Sequence, residues 1–498
     1  MTTLAAIPCR HEPRNDACVM TVVSRGHLGG WRKAAMFMGM NDQSPLPVSV
    51  PAPVPARVPL SNRPLGIFGS LKAGRENVLL LIPEVATRAP ILSGRTVKRW
   101  HMVMDPEALR RILRDKVEDY PKSVVTKLIL EPAIGDSLFV AEGAQWLWQR
   151  RTAAPVFSHR NVAALAPVMT AAAERACARI DSAVGRAADL FDEMVTATFE
   201  VISDVTFSNG AGFDRAAVHK AIEQYIAQAA RVSLLDIIGA PPWVPRPGRM
   251  IASSAMRDMK RLSDAAIDTR KAAGAKPVPD LLDLMIAGED PKSGRTMTTA
   301  ELRDNLLTFI VAGHETTALT LSWALYLCAF DQGVQEAARA EAQGALADRA
   351  ATVADIAKLP LIRQIVDETL RMYPPAAFLS RTAQTADTLC GREVRPGDTV
   401  ILPIYALHRH HDLWPDPDRF DPGRFADPKA IDRFAYLPFG DGPRICIGAN
   451  FALQEAVIIL ATLLARFRFT RIPGREPKPV MILTLRPEGG VWLGVERA

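Results

Sequence analysis

The stretch Phe439-Gly-Asp-Gly-Pro-Arg-Ile-Cys-Ile-Gly448 places one cysteine in a turn bracketed by glycines. Gly440 and Gly442 permit positive φ and close backbone approach, and Phe439 supplies an apolar shield beside the sulfur. The residues after Cys446 repeat apolar side chains at helical spacing for four or more turns, so the cysteine lies at a helix N-terminus. Because such a position lowers the pKa of a thiol, we predict that Cys446 is a metal ligand or a nucleophile.

The composition of the chain is that of a globular protein with a large core. Its 498 residues are 48% hydrophobic and 23% charged. The net charge is +6, but the arginines are dispersed and no nucleic-acid module appears, so nucleic acid is not an expected partner. The six cysteines, at 9, 18, 177, 328, 390 and 446, show neither a paired framework nor metal-site spacing. This usage favours a reducing, cytoplasmic compartment.

No membrane span is expected from the hydropathy pattern. The most apolar long segment runs from about Thr308 to Phe330 and is interrupted by His314 and Glu315. Such an interruption favours a core helix over a span.

Residues 1–60 differ in composition from the rest of the chain. The segment Pro45–Pro59 is rich in proline and is predicted to be extended or disordered. We therefore expect an irregular, disordered leader over 1–60 and one folded domain over 61–498. A later start, for example at Met40, is an alternative for the N-terminus.

A second stretch of interest, Ala312-Gly-His-Glu-Thr-Thr317, lies inside a long helix opened by the capping box of Thr298 and Glu301. Glycine in a helix interior costs about 1 kcal/mol relative to alanine, and the Thr316 hydroxyl can bond the Ala312 carbonyl. Both effects favour a local kink. A zinc-peptidase motif would need histidine at the position of Ala318, so that interpretation fails.

Two further pairs are set by helical spacing. Trp146 and Arg150 are four residues apart on one helical face, and Glu368 and Arg371 are three apart on a helix that must end before Pro374. The histidines at 408, 410 and 411 are interpreted as a polar turn rather than a metal site.

The pattern Phe-x-x-Gly-x-Arg-x-Cys-x-Gly resembles the haem-binding loop of the cytochrome P450 family, and it is filled here by Phe439, Gly442, Arg444, Cys446 and Gly448. The Trp-x-x-x-Arg, Gly-x-Glu-Thr, Glu-x-x-Arg and Pro-x-Arg-Phe motifs occur in the family's order, and the resemblance covers about residues 65–498. It implies a mainly α fold with a small β-rich part. Haem b would lie between the long central helix and the cysteine-loop helix.

The resemblance also implies roles for individual residues. Cys446 would be the axial thiolate ligand of the haem iron. The haem propionates would contact Trp146, Arg150, Arg381 and Arg444. Thr316 and Glu315 would form an alcohol–acid pair that delivers protons during oxygen activation.

Structural and pocket residues are implied in the same way. Glu368, Arg371 and Arg419, the last in Pro417-Asp-Arg-Phe420, would hold the segment that carries the cysteine loop. The candidate walls of the substrate pocket are Ala312, Ala376, Ala377 and Phe378.

The implied function is that of a monooxygenase that inserts one oxygen atom of O₂ into an apolar organic substrate by hydroxylation or epoxidation. Electrons from NAD(P)H would come through separate proteins, a ferredoxin or flavodoxin with its reductase, because no flavin or ferredoxin domain is recognised in the chain. They would dock near Arg111, Arg114, Arg151 and Arg160. We expect a monomer. A peroxide-driven haem peroxygenase and a non-catalytic haem sensor or carrier are the alternatives, and the sequence leaves the substrate open.

Overall fold

The structure is a computed structural model, and it describes residues 23–25, 31–33, 54–62, 65–95, 98–207 and 253–498. The chain divides into two compact units, Met1–Pro53 and Val54–Ala498. In the described part of the smaller unit, strand β1 (Val23–Arg25) pairs antiparallel with strand β2 (Trp31–Lys33). The rest of the predicted leader up to residue 53 lies outside the described residues.

The larger unit is mainly helical, as its apolar periodicity predicts. In chain order its helices are α1 (Ile67–Glu76), α2 (Pro106–Arg110), α3 (Val124–Ile134), α4 (Gly143–Ala153), α5 (His159–Ala164), α6 (Ala166–Asp181), α7 (Leu190–Phe207), α8 (Ser253–Ala273), α9 (Leu281–Ile286), α10 (Thr299–Phe330), α11 (Gln332–Leu346), α12 (Pro360–Met372), α13 (Ile404–Leu407) and α14 (Ala449–Arg466). A π-helical turn, Arg111–Asp115, continues α2.

In the part of the larger unit that the structure describes, the β-strands form small sheets. Its strands are β3 (Ile91–Arg95), β4 (Arg99–Val103), β5 (Ala187–Asp189), β6 (Leu379–Thr382), β7 (Asp387–Leu389), β8 (Arg392–Val394), β9 (Thr399–Leu402), β10 (Phe467–Arg471), β11 (Lys478–Met481), β12 (Leu485–Glu488) and β13 (Trp492–Arg497). They form sheets in the orders β3-β4-β9-β6 and β10-β13-β5 and the hairpins β7-β8 and β11-β12. The predicted mainly α fold with a small β-rich part is confirmed.

Helix α10 is the central helix of the larger unit. Its N-terminus has the predicted capping box, in which the Thr298 side chain accepts from the Glu301 N–H and the Glu301 carboxylate accepts from the Thr298 N–H. Most of its side chains are buried on every side of the helix, which is typical of a helix that runs through a core. Helix α7 packs along it.

Helix α14 begins directly after Gly448, so the cysteine turn leads straight into it. By length and composition it is the one helix of the described chain that could cross a membrane, but 67% of that stretch is buried inside the protein. It packs against α6, α10 and α11. Such burial is typical of a core helix.

The larger unit begins at Val54 rather than at residue 61, because the last part of the predicted leader packs onto it. Val58 is only 3% exposed, and its N–H donates to the Tyr405 hydroxyl at 3.0 Å. The Ala56 N–H donates to the Tyr326 hydroxyl at 3.0 Å, and the Ala56 carbonyl accepts from the Tyr373 hydroxyl at 2.6 Å. An extended, proline-rich backbone leaves its own polar groups free for such partners.

Candidate active site

Cys446 lies in a tight turn whose geometry requires glycine. Gly440 and Gly442 have φ of +69° and +71°, a region that favours glycine. A Cβ on Gly442 would lie 2.0 Å from the Leu113 carbonyl oxygen, so a larger residue would push the turn away from its neighbour. The Cys446 N–H donates to the Phe439 carbonyl at 3.0 Å and closes the turn.

The Cys446 side chain has accessible surface, yet the surrounding protein atoms remove much of the hydration of its thiol. The residue is exposed, yet burial among protein atoms raises its pKa, against smaller opposing effects of the Gly448 N–H and the Arg150 guanidinium. The helix N-terminus lowers this pKa through the Gly448 N–H, as expected, but the net shift is upward because the loss of hydration is the larger effect. Cys446 therefore faces an internal space, and metal coordination is the route by which it would lose its proton completely.

Among the described residues, Cys446 belongs to no cluster of side chains that could hold a metal ion on its own. The described residues contain no group of three or more His, Cys, Asp or Glu side chains that could hold a metal ion. A metal bound by Cys446 must therefore bring most of its own ligands with it. A metallated macrocycle such as haem meets this requirement.

One stripe of α10 is open within a helix that is otherwise buried. Ala312 is exposed and Gly313 and Thr316 are half-buried, whereas Val311 and Thr317 are buried. Ala312 and Thr316 share one helical face, since they are four residues apart. The Thr316 hydroxyl donates to the Ala312 carbonyl at 2.8 Å, as predicted. This face is the candidate distal wall of the site.

Helix α7 fixes α10 behind this open face. Gly313 faces α7, since a Cβ on it would lie 3.4 Å from Ile202, which is an ordinary contact distance. The Thr198 hydroxyl of α7 donates to the His314 carbonyl at 2.8 Å, which engages a carbonyl in the middle of α10. No motif in the sequence pointed to Thr198.

Glu315 points away from the Thr316 hydroxyl. Its carboxylate is 2% exposed and accepts from the Thr484 hydroxyl at 2.5 Å. It also forms an ion pair with Arg486 of β12. The structure therefore places the two members of the predicted alcohol–acid pair on different faces of α10. Thr484 and Arg486 were missed because they lie far along the chain and belong to no motif.

A group of cations lies beside the cysteine turn, and we call Lys122, Arg381 and Arg444 the cationic cluster. The Arg444 guanidinium stacks 4.2 Å above the Trp146 ring and pairs with Glu142. Lys122 and Arg381 are joined by a backbone bridge. Burial and then Arg444 lower the pKa of Arg381 to about 10, and burial, Arg444 and Arg381 lower that of Lys122 to about 7. Among the described residues, Glu142 is the carboxylate that opposes this charge.

The excess of positive charge suits a ligand with more than one carboxylate. Arg150, close enough to Cys446 to affect its pKa, has no ion-pair partner among the described residues. Desolvated cations without enough anions are costly unless a bound group neutralises them. Haem carries two carboxylates, so the residues present fit it. Lys122 was missed because its turn-rich segment matches no motif.

The predicted pocket walls are partly corrected by the structure. Ala312 is exposed, and Ala376 and Phe378 are half-buried, so all three can line an internal space. Ala377 is fully buried, and its carbonyl accepts from the Tyr405 N–H at 2.9 Å. Ala377 therefore faces the core, because successive residues of an extended segment point to opposite sides.

The predicted ion pair behind the site is present. Arg371 donates to both oxygens of Glu368, at 2.6 and 2.8 Å, and both residues are fully buried on α12. Arg371 also donates to the carbonyls of His408 and Pro417 at 2.8 Å each. The pair thereby anchors the segment that leads towards the cysteine turn.

The third member of this group is Arg424, which corrects the prediction of Arg419. The Nε of Arg424 lies 3.5 Å from Glu368 Oε1. Arg419 contributes its backbone carbonyl to Arg371 at 3.2 Å, and its side chain is exposed. The sequence contains Pro-x-Arg-Phe twice, as Pro417–Phe420 and Pro422–Phe425. The second copy supplies the guanidinium, and only the fold distinguishes them.

His408, which the sequence analysis assigned to a polar turn, is instead fully buried. Its Nδ1 lies 3.1 Å from the Arg371 carbonyl, and its Nε2 accepts the Leu437 N–H at 2.9 Å. Burial, followed by the charge of Arg371, lowers its pKa to about 3. The neutral imidazole therefore ties α12 to the chain just before the cysteine turn.

Comparisons with known proteins agree with this geometry. Residues 63–493 match the family described as cytochrome P450. Cyclooctatin synthase of Streptomyces melanosporofaciens is 33% identical over 77% of this chain and 83% of its own. Cyclooctat-9-en-7-ol 5-monooxygenase of the same organism is 32% identical over 76% of this chain and 81% of its own.

Similarity extends to a solved structure. The crystal structure of the cytochrome P450DA heme domain superposes with a TM-score of 0.77 at 26% identity, and it covers 90% of this chain and 98% of that one. Because the family match spans most of the chain and the relatives are covered over most of their length, this protein belongs to the cytochrome P450 family and is a monooxygenase.

Proposed function

We propose that this protein inserts one oxygen atom of O₂ into a C–H or C=C bond of an apolar organic substrate at a haem bound through Cys446. The observation that carries the proposal is that Cys446 is exposed beside the cationic cluster and, among the described residues, belongs to no group of three or more side chains that could hold a metal ion. The bound haem supplies the redox chemistry, and its thiolate ligand favours O–O cleavage. The protein supplies binding, orientation and control of protons.

Each part of the site has a proposed task. The cationic cluster and Arg150 hold the haem carboxylates, because Glu142 alone does not balance the charge of these four desolvated cations. Phe439, whose carbonyl accepts the Cys446 N–H, shields the sulfur. The Gly448 N–H donates a hydrogen bond to the sulfur. Thr316 presents its hydroxyl on the open face of α10.

Glu315 can assist Thr316 only after a rearrangement. Its carboxylate is engaged by Thr484 and Arg486 on the other face of α10. We therefore propose that Glu315 leaves these partners before it takes part in proton delivery.

The substrate is proposed to be an apolar, ring-containing molecule of medium size. The open surface of the site is provided by two small side chains and one aromatic side chain, namely Ala312, Ala376 and Phe378. One relative is named for its action on cyclooctat-9-en-7-ol, an unsaturated cyclic alcohol by its name.

Electrons are proposed to come from NAD(P)H through a ferredoxin or flavodoxin and its reductase. Arg114 and Arg160 are exposed, and the backbone of Arg114 lies against the cysteine turn at Gly442. Arg111 and Arg151 are less suitable than predicted because they pair with Asp387 and Asp290. If Arg114 and Arg160 attract an acidic partner, reduction slows at high salt. A reduction rate unaffected by salt or by removal of both charges would contradict this docking site.

The deciding experiment is the visible spectrum of the reduced, carbon monoxide-bound protein. We expect the strongly red-shifted Soret band of thiolate-ligated haem, and its loss in Cys446→Ala. Cys390→Ala is the matched control, since Cys390 is also an exposed, unpaired cysteine. Absence of the band in well-folded, haem-loaded protein would refute the proposal. Turnover with peroxide but never with redox partners would instead favour a peroxygenase.

A further inference from the structure

Ser93, His101 and Asp398 form a hydrogen-bonded row in the sheet β3-β4-β9-β6, and none of them belongs to the candidate active site. Ser93 of β3 lies directly opposite His101 of β4, and its Oγ is 2.8 Å from His101 Nδ1. The other ring nitrogen, Nε2, is 3.1 Å from Asp398 Oδ2. Asp398 immediately precedes β9, which pairs with β4 on its other side. One sheet therefore holds all three side chains in register.

The row runs from a buried carboxylate to an exposed hydroxyl. Asp398 is 6% exposed and His101 is 1% exposed, whereas Ser93 is exposed. A solute can therefore reach the hydroxyl, while the imidazole and the carboxylate that support it are shielded from water.

Asp398 is held as a carboxylate. Burial raises its pKa, but the Arg395 N–H, the His101 ring and the Arg99 guanidinium outweigh burial and lower the pKa below its ordinary value. The Arg395 N–H donates at 2.9 Å, and Arg99 Nε lies 3.4 Å away. Because a carboxylate only accepts hydrogen bonds, it fixes the proton of the neutral His101 ring on Nε2. Nδ1 is then the acceptor for the Ser93 hydroxyl.

This arrangement is one in which a histidine activates a serine hydroxyl as a nucleophile. Two features of β3 can stabilise the negative charge that develops when the serine attacks a carbonyl group. In the described sheet β3 pairs with β4 alone, and an edge strand presents backbone N–H groups that can donate to such an oxygen. Arg95 is exposed and lies two residues along β3, on the same face as Ser93.

We propose that Ser93 is the nucleophile of a second reactive centre that hydrolyses activated carboxylic esters, with His101 as its base and Asp398 as the residue that positions the ring. Ser93 Oγ bonds to the ester carbonyl carbon, and its proton passes to His101 Nδ1. The bond from that carbon to the alcohol oxygen then breaks, and the alcohol leaves with the proton.

A water molecule completes the reaction through the same base. It attacks the acyl carbon and gives a proton to His101, which returns it to Ser93 Oγ as the carboxylic acid is released. Ester and water are thereby converted to acid and alcohol. No haem, electron or O₂ is consumed, so this activity is independent of the proposed monooxygenase function.

The test uses haem-loaded protein with p-nitrophenyl acetate and, separately, a fluorophosphonate probe. Wild type should release p-nitrophenol faster than buffer does, and peptide mass spectrometry should find the probe on Ser93. Ser93→Ala should lose both signals. Ser182→Ala is the matched control and should keep both, because Ser182 is exposed but its hydroxyl donates to the Arg179 carbonyl instead of a histidine.

Two further variants test the supporting residues. His101→Gln keeps a hydrogen-bonding side chain but removes the base, so labelling of Ser93 should slow by about 10²-fold. Asp398→Asn should lower the maximal rate of labelling and leave the half-saturating probe concentration unchanged, because the orientation of the ring is lost and probe binding is not. Unfolding curves show whether each variant keeps its fold.

Three results would overturn the proposal. Equal hydrolysis by wild type and Ser93→Ala would place the activity elsewhere. A probe that labels Ser182 as fast as Ser93 would show that Ser93 is not activated. Unchanged labelling of folded His101→Gln would show that the histidine is only structural. The first two comparisons alter no buried residue, so they decide the proposal even where a His101 variant does not fold. Failure of the proposed function would appear separately, as absence of the thiolate band in wild type.

Discussion

Arg424 Nε lies 3.5 Å from Glu368 Oε1, and this contact completes a buried group that already contains Arg371. Arg424 comes from the segment before the cysteine turn, whereas Glu368 and Arg371 lie on α12. The group therefore holds together two parts of the chain that are distant in sequence. A buried carboxylate between two guanidinium groups fixes geometry even where it adds little net stability.

We predict that Arg424→Ala lowers the free energy of unfolding by about 1–3 kcal/mol, because Glu368 loses a charged neighbour in a dry environment. Arg419→Ala is the matched control and should change it by less than about 0.5 kcal/mol, since that side chain is exposed. Denaturant unfolding of both variants checks this. Equal losses would mean that the two arginines are not distinguished as the structure indicates.

A pH dependence is predicted from His408. Its folded pKa is about 3, below the ordinary value of 6.5, so the unfolded chain binds the proton more readily than the folded chain does. The contribution of the neutral ring is fully present above about pH 6.5 and is lost as pH falls towards 3. From pH 6 to pH 4 the unfolding free energy of wild type should fall more steeply than that of His408→Gln, by up to about 1.4 kcal/mol per pH unit.

The comparison of wild type with His408→Gln isolates the contribution of His408, because the two proteins share every other titrating group. Glutamine can still accept the Leu437 N–H, so the link between α12 and the cysteine segment is partly kept. Parallel pH profiles for the two proteins would contradict a neutral, buried His408.

Lys122 should have opposite effects on the free protein and on haem retention. Lys122→Met removes a desolvated cation that is repelled by Arg444 and Arg381, so haem-free protein should be at least as stable as wild type. Haem should leave about 10- to 100-fold faster, because one charge-assisted hydrogen bond contributes about 1.5–3 kcal/mol. Haem transfer to an excess of apomyoglobin measures the rate.

The matched control is Lys429→Met, which removes an exposed lysine from a 3₁₀ turn of Pro428–Ala430. It should leave haem transfer unchanged. If Lys122→Met also retained haem like wild type, Lys122 would have no part in holding the haem carboxylates.

Truncation of the N-terminus should reveal where the folded chain begins. A protein starting at Met40 keeps Val54–Leu60 and should unfold like the full chain. A protein starting at Ser61 loses the burial of Val58 and the hydrogen bonds that Ala56 and Val58 make with three tyrosines. We expect it to be about 2–4 kcal/mol less stable. Thermal and denaturant unfolding of both check this, and equal stability would mean that residues 54–60 do not contribute.

Several features of the site were predictable because they depend on neighbours close in sequence. The glycine turn around Cys446, the capping box of Thr298 and Glu301, the Thr316 bond to Ala312 and the Glu368–Arg371 pair all join residues within a few positions. Helical spacing and turn chemistry determine such contacts before any tertiary packing forms.

The remaining features depend on which distant segments meet. Glu315 is bound by residues 169 and 171 positions away, and Lys122 joins Arg381 and Arg444 only when the chain is folded. The sequence by itself determined the family, its mainly helical fold and the cysteine turn. The tertiary structure alone decided that Arg424 replaces Arg419, that Ala377 faces the core and that burial raises the pKa of Cys446. Desolvation and long-range pairing act through contacts that local spacing does not encode.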